Sequence, residues 1–277
     1  MDPLGYFIRH TPAFKGKRRL AWYWMARRDT STRRVTVLPG GSRIACDLSV
    51  PYEAMVWLGQ EEDRDLQVAR RLLRPGSTFV DCGANIGLWS LIASPVVGAT
   101  GRVFAFEPNP ATSDKLVENV SANSLDNITV VRAAVGAHSG RAPFRCEPSH
   151  NISALCQQTS TDTILVPVVT LDEYLGDQPV HAIKIDVEGY ELGVIQGASK
   201  IIERPGIWLC VEFNTIASQV SRLGDWEVHQ RLGRLGYTAR LMSDAFRTGQ
   251  TSLLPDRWEI GGYCNLFYSR GRTPECY

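Results

Sequence analysis

The stretch from Thr78 to Trp89, Thr-Phe-Val-Asp-Cys-Gly-Ala-Asn-Ile-Gly-Leu-Trp, constrains this chain more than any other. Arg74-Pro75-Gly76 stops whatever precedes it, and Thr78, Phe79 and Val80 read as a buried strand. Asp81 closes that strand, Gly83 to Gly87 make a tight loop, and a helix is expected from Leu88 onward. Strand, glycine loop and helix N-terminus together bring backbone N–H groups up against a ligand.

Beyond this unit, strand-like and helix-like segments alternate. Strands are expected at 78–82, 102–107, 128–133, 181–186 and 206–212, with helices at 86–94, 110–122 and 189–202. That rhythm predicts an α/β fold, a mostly parallel sheet covered by helices on both faces. The segments 237–242 and 263–269 have no clear helix between them and read as an antiparallel pair closing a seven-stranded sheet. Residues 141–170 break the rhythm around Ser149-His150-Asn151-Ile152-Ser153, as an inserted substrate loop would.

Upstream, residues 35–52 alternate about Pro39-Gly40-Gly41, which predicts a hairpin. Glu61–Leu73 predicts an amphipathic helix with Leu66, Ala69, Leu72 and Leu73 on one face. The chain therefore divides into a basic helical and hairpin extension over 1–74, expected to cover the substrate cleft, and a main domain over 75–277.

Residues 1–34 hold nine basic side chains against Asp2 and Asp29, interleaved with Tyr6, Phe7, Phe14, Trp22, Tyr23 and Trp24. Such a segment either packs its aromatics on the main domain and solvates its charges, or touches an anionic membrane surface, a carrier protein or a nucleic acid. The whole chain carries a formal charge of only +1, so nucleic acid is not the expected partner of the molecule at large. No apolar run reaches the ~18 residues of a membrane span, and the start lacks the order of a secretory signal. The seven cysteines form no C-x-x-C pair and are odd in number, so neither a zinc site nor a disulfide framework is indicated, and a cytoplasmic location is expected.

Glu107 ends the next expected strand, twenty residues beyond Gly87. A carboxylate there can accept hydrogen bonds from both hydroxyls of an adenosine ribose, each worth ~1.5–3 kcal/mol. A dinucleotide site would want G-x-G-x-x-G to meet a pyrophosphate. The loop here has Asp81 before its first glycine and no third glycine in register. S-adenosylmethionine (SAM) has no phosphate but carries a sulfonium cation and a zwitterionic tail, and an acidic loop suits those charges.

Several runs in order make the likeness specific. They are Phe79-Val-Asp-Cys-Gly-Ala-Asn-Ile-Gly87, Val103-Phe-Ala-Phe-Glu-Pro-Asn-Pro110, Ala133-Ala-Val-Gly136, Val166-Pro-Val-Val-Thr-Leu-Asp172 and Ile183-Lys-Ile-Asp-Val-Glu-Gly189, with Leu209-Cys-Val-Glu-Phe-Asn214 a weaker last member. Over about residues 58–215 the chain resembles the FkbM-family methyltransferases of the class I fold. The resemblance implies a Rossmann-like seven-stranded sheet, SAM as cofactor, and O-methylation of a hydroxyl on a secondary metabolite or sugar. It implies that Asp81, Gly83, Ala84, Asn85 and Gly87 hold the methionine end, that Glu107 takes the ribose, and that Pro108 and Asn109 lie beside the adenine. Glu62 falls where the family often has a glutamate reaching the methionine amino group. Cys82 stands in place of a small aliphatic residue, and Arg132 where the family often has Asn, so no adenine contact is carried over to it.

Methyl transfer from a sulfonium is an in-line displacement, and the acceptor alcohol must lose a proton to a base or to a metal that acidifies it. Asp186, at the fourth strand's end, is the leading candidate, with Lys184 on the same side and Glu188 just beyond. Three assignments stay open: Asp186 as base oriented by Lys184; Asp186, Glu212 and Asn214 as ligands of Mg²⁺; or His150 as the proton acceptor. The expected function is O-methylation of a small-molecule hydroxyl. Methylation at nitrogen or a carboxylate is the enzymatic alternative, and a nucleotide-binding or interaction module working through the basic arm is the non-enzymatic one.

Overall fold

The computed structural model describes all residues except 1–2, 12–13, 15, 28–31, 62, 147–153, 156–162, 246–253, 255–261 and 272–277, and leaves out the side chains of 18 and 63. His150 and Glu62 therefore lie outside the described residues.

Two short helices, α1 (Pro3–His10) and α2 (Lys17–Met25), come first. A hairpin of β1 (Arg33–Val37) and β2 (Arg43–Asp47) follows, then α3 (Pro51–Trp57) and α4 (Asp63–Leu72). The repeating part runs β3 (Thr78–Cys82), α5 (Leu88–Val97), β4 (Arg102–Phe106), α6 (Pro110–Ser121) and β5 (Ile128–Val131). The chain then leaves the sheet edge for β6 (Ala134–Val135), β7 (Gly140–Arg145), β8 (Ala154–Leu155) and β9 (Thr163–Val169). It returns through α7 (Leu171–Leu175), β10 (Ala182–Ile185), α8 (Glu191–Gly197), α9 (Ser199–Ile202) and β11 (Trp208–Asn214). The last elements are α10 (Glu227–Arg234), β12 (Thr238–Leu241) and β13 (Tyr263–Ser269).

The seven-stranded sheet has the order β12-β13-β11-β10-β3-β4-β5. β10, β3, β4, β5 and β11 pair in parallel, while β13 runs antiparallel to both β11 and β12. The expected class I sheet, closed by an antiparallel strand, is the one observed. Strand alternation divides its side chains between two faces. Phe79, Val103, Ala105, Ala182, Trp208 and Phe267 pack under α4 and α5. Val80, Phe106, Ile183, Ile185, Leu209, Val211 and Leu266 pack under the helices of the other face.

The expected helix over 189–202 is two helices. At Gly197 an added Cβ would sit 2.0 Å from the backbone oxygen of Gly136, so another segment's backbone lies against the chain where the first helix ends. Asp172 caps the second, accepting from the backbone N–H groups of Lys200 and Ile201. The inserted segment builds its own four-stranded sheet, β6-β9-β7-β8.

The first 74 residues share the main core. Ile8, Ala21, Trp24, Ile44, Cys46 and Trp57 join one hydrophobic cluster with Phe79, Leu91 and Trp208. Their aromatics do not all follow. Trp24 is buried and stacks on Trp57 at 5.6 Å, whereas Tyr6, Phe7, Phe14, Trp22 and Tyr23 are all exposed. The packing of the arm's aromatics onto the domain, one of the two sequence expectations, thus holds for Trp24 and fails for five of the six.

Candidate active site

In this sheet the chain runs outward from β3 to β4 and β5, then crosses to the other side of β3 to lay down β10. The strand ends at that reversal diverge and leave a crevice, the usual ligand position in open α/β sheets. The loops after β3, β4, β10 and β11 meet there, in an open polar cleft of about 830 Å³ walled by Gly83, Asn85, Glu107, Lys184, Asp186, Glu188, Glu212 and Asn214.

The floor is the glycine loop. Gly83 has φ +80°, and a Cβ there would lie 1.9 Å from the backbone oxygen of Asp186, so only glycine lets the β3 and β10 loops come this close. Gly87, φ +97°, caps α5, and a Cβ on it would strike Leu116 Cδ1 at 2.5 Å. Ala84 is buried. Asn85 adopts φ +51°, and its carbonyl side-chain oxygen accepts from the Ile86 N–H.

Glu107 follows β4 and is 7 % exposed. The Asn85 N–H donates to its Oε2 at 3.0 Å and the Asn109 N–H to its Oε1 at 2.9 Å, which fixes the carboxylate at the cleft wall. Burial pushes its pKa up to about 7, against the lowering effect of those two N–H donors. Asn109 caps α6 through Oδ1, and Pro108 faces a second pocket.

That second pocket shares Gly83 with the cleft and is apolar, an empty volume of about 340 Å³ lined by Phe106, Pro108, Ala133, Phe144, Leu155 and Val187 among others. Phe144 and Leu155 come from the inserted sheet. Arg132 takes no part; its guanidinium pairs with Asp114 at 2.6 Å and donates to Ser113 Oγ.

Across the crevice, Lys184 on β10 is buried and its Nζ donates to Asp186 Oδ2 at 2.8 Å. Ligand atoms of Asp186, Glu188 and Glu212 lie within 4.8 Å of one another. Glu188 sits at φ +53°, left-handed backbone that non-glycine residues seldom adopt. Burial, then the neighbouring Asp186 and Glu191 charges, raise its pKa to about 8, with Lys184 opposing. Three carboxylates around one ammonium make a site that favours cations, and one of them, Glu188, is able to exchange a proton near neutrality.

Asp81 sits apart from the cleft walls. It is fully buried on β3 and accepts a 2.6 Å hydrogen bond from Ser90 Oγ of α5, which ties loop and helix together from beneath. Asn214 lines the cleft, but its Oδ1 accepts from the Ile216 and Ala217 N–H groups, so the turn after β11 uses the oxygen that the expected metal set needed. Among the described residues the clustered set is Asp186, Glu188 and Glu212. Three wall residues were not read from sequence: Tyr52 on α3, Glu61 before α4 and Tyr263, which pairs in register with Asn214. Glu61 is the immediate neighbour of the glutamate singled out, Glu62.

The donor set suits one kind of ligand. A buried carboxylate beside an apolar pocket fits a ribose and its base, while the surplus of carboxylates repels a pyrophosphate and attracts a sulfonium or ammonium.

Residues 81–238 match the family model described as "Methyltransferase FkbM domain". Among characterised proteins, the hexuronic acid methyltransferase AglP of Haloferax volcanii is 29 % identical over 187 residues, covering 65 % of this chain and 75 % of that protein. Methyltransferase 1 of Beauveria bassiana is 26 % identical over 147 residues, covering 44 % and 58 %. Among solved structures, the methyltransferase FkbM of Methylobacillus flagellatus superposes with a TM-score of 0.43 at 20 % identity, covering 91 % of this chain and 59 % of that one.

Proposed function

The chain belongs to the FkbM methyltransferase family, and on that premise we propose that it is a SAM-dependent O-methyltransferase acting on a hydroxyl of a sugar or sugar-like acceptor. The observation that carries the reading is the joining, at one crevice, of the Glu107 carboxylate and apolar pocket with the Lys184–Asp186–Glu188–Glu212 cluster. Support for a sugar comes from the hexuronic acid methyltransferase among its relatives.

SAM when bound supplies an electrophilic methyl group on sulfur. Its ribose diol would be held by Glu107, its adenine in the pocket of Pro108, Phe144 and Val187, and its methionine end over the loop of Gly83, Ala84, Asn85 and Gly87, with Glu61 in reach of an ammonium. The protein's own contribution at the acceptor is proton removal. Lys184 holds Asp186 in place, and Glu188, whose proton affinity is raised to just above neutrality, takes the hydroxyl proton in its ionised form as the oxygen attacks. Tyr52 and Tyr263 wall the acceptor side, and the first 74 residues act as its cover.

A second reading follows from the spacing of Asp186, Glu188 and Glu212, which suits a divalent cation such as Mg²⁺. The Lys184 ammonium already compensates part of that charge, which favours the base. Turnover of a uronic acid glycoside, followed by transfer of labelled methyl from SAM with and without EDTA, tests both. Label on a hydroxyl oxygen with EDTA present supports the base. Activity lost to EDTA and restored by Mg²⁺ transfers the role to a metal. Transfer to nitrogen or carboxylate would displace the hydroxyl reading, and no binding of SAM would falsify the enzymatic one.

A further inference from the structure

The N-terminal helices carry a surface that catalysis leaves unused. α1 and α2 pack against each other through Gly5 and Trp24, so closely that a Cβ on Gly5 would sit 2.9 Å from Trp24 Nε1. Lys17 closes the turn between them by donating to the Thr11 carbonyl oxygen at 2.6 Å. The buried positions are Gly5 and Ile8 on α1 and Lys17, Ala21 and Trp24 on α2. At ~100° per residue these mark one side of each helix. The opposite sides carry Tyr6 and Phe7 on α1, and Arg19, Trp22 and Tyr23 on α2.

These outward aromatics, with Phe14 from the connection, are 44–53 % exposed. The Phe7 and Phe14 rings lie 6.2 Å apart, and the Arg27 guanidinium covers the Tyr23 ring at 3.8 Å. Single exposed aromatics are ordinary on a soluble protein, but five on two short helices and the connection between them are not scattered. Charge is gathered with them: the nine basic and two acidic residues of 1–34 leave residues 35–277 with a net charge of −6.

We propose that the outward face of α1 and α2 docks this protein peripherally on an anionic lipid bilayer, its Trp and Tyr rings at headgroup level and its Arg19 and Arg27 side chains against the lipid phosphates. Tryptophan and tyrosine favour the membrane interface, and basic residues beside them are drawn to anionic headgroups. A second copy of the chain is the poorer occupant, because it would set two such basic segments face to face.

The test uses the full chain and flotation with vesicles of about one third phosphatidylglycerol in phosphatidylcholine, against phosphatidylcholine alone. Phe7→Ser with Trp22→Ser removes two exposed rings of this face, and Arg19→Glu with Arg27→Glu reverses the flanking charge. Thermal melting and SAM calorimetry serve as folding controls. Wild type is expected to bind acidic vesicles at least ~10-fold more tightly than neutral ones, and each double variant to lose ~10-fold with melting unchanged. Binding unaffected by the ring variant, or none to acidic vesicles, overturns the proposal. So does a dimer in light scattering that the ring variant converts to monomer, which would give the face to a second copy.

Discussion

Gly83 and Asp186 meet so closely that a Cβ on the glycine would stand 1.9 Å from the aspartate's carbonyl oxygen. Gly206 shares the same φ of +80° but has nothing within 4 Å of its Cβ position. Gly206→Ala should cost only the left-handed penalty of ~1–2 kcal/mol. Gly83→Ala must also push the β3 and β10 loops apart, so it should cost more in urea unfolding and weaken SAM binding at least ~10-fold in calorimetry, about 1.4 kcal/mol.

Glu107 joins stability and binding with opposite signs. Its folded pKa of about 7 lies above its ordinary 4.5, so between those values the folded protein holds a proton that the unfolded chain has released. Its contribution to stability is therefore full below pH 4.5 and is lost as pH rises to about 7. Between pH 5 and pH 8, Glu107→Gln should gain on the wild type by ~1–3 kcal/mol in denaturant titrations without cofactor. The same variant should bind SAM ~10-fold or more weakly at pH 8, where the ionised carboxylate is the better acceptor. A flat difference across pH would remove the account.

Glu188 as proton acceptor predicts a rate that rises with pH to a plateau above about 8. Glu188→Gln should lower kcat by ~10²–10⁴-fold and abolish that limb, with SAM affinity little changed.

Lys184 lowers the proton affinity of Glu188, so Lys184→Met should move the pH–rate limb to higher pH as well as lower kcat. It also leaves Asp186 without its ammonium partner. Removing one member of a buried pair costs ~3–5 kcal/mol, and the partial exposure of Asp186 puts the expected loss at the low end or below. Urea unfolding and the pH profile read the two effects separately.

Phe144→Ala should raise the KM for SAM by ~10-fold and leave the acceptor KM unchanged if the apolar pocket holds adenine. A change confined to the acceptor would instead keep the inserted sheet as the substrate loop expected from sequence.

Much of the fold was legible because strand and helix periods are local. The runs 78–82 and 263–269 coincide with β3 and β13, and 110–122 with α6 to within one residue. Glu107 and the Lys184–Asp186 pair were legible because strand ends carry ligands in such sheets and alternation puts residues two apart on one side. Tyr52, Glu61 and Tyr263 were not, since each reaches the cleft by long-range packing that leaves no periodic trace. Phe144 and Leu155 reach the apolar pocket from a segment whose broken rhythm marks an insertion but not its direction. Asn214 reads from sequence equally well as a ligand or a turn cap, and the capping role of its Oδ1 in the loop after β11 left no trace there.

The pairing of β10 with β3 sets when the site comes into being. Residues 83–107 carry the glycine loop and Glu107, yet the opposite wall is supplied by residues 184–214 and by Tyr263. Closing so long a stretch of chain is an entropically costly, slow contact, and it must precede any grip on the cofactor. Cofactor affinity is thus a marker of completed folding, and a ligand that binds only the finished crevice holds this late contact closed by mass action.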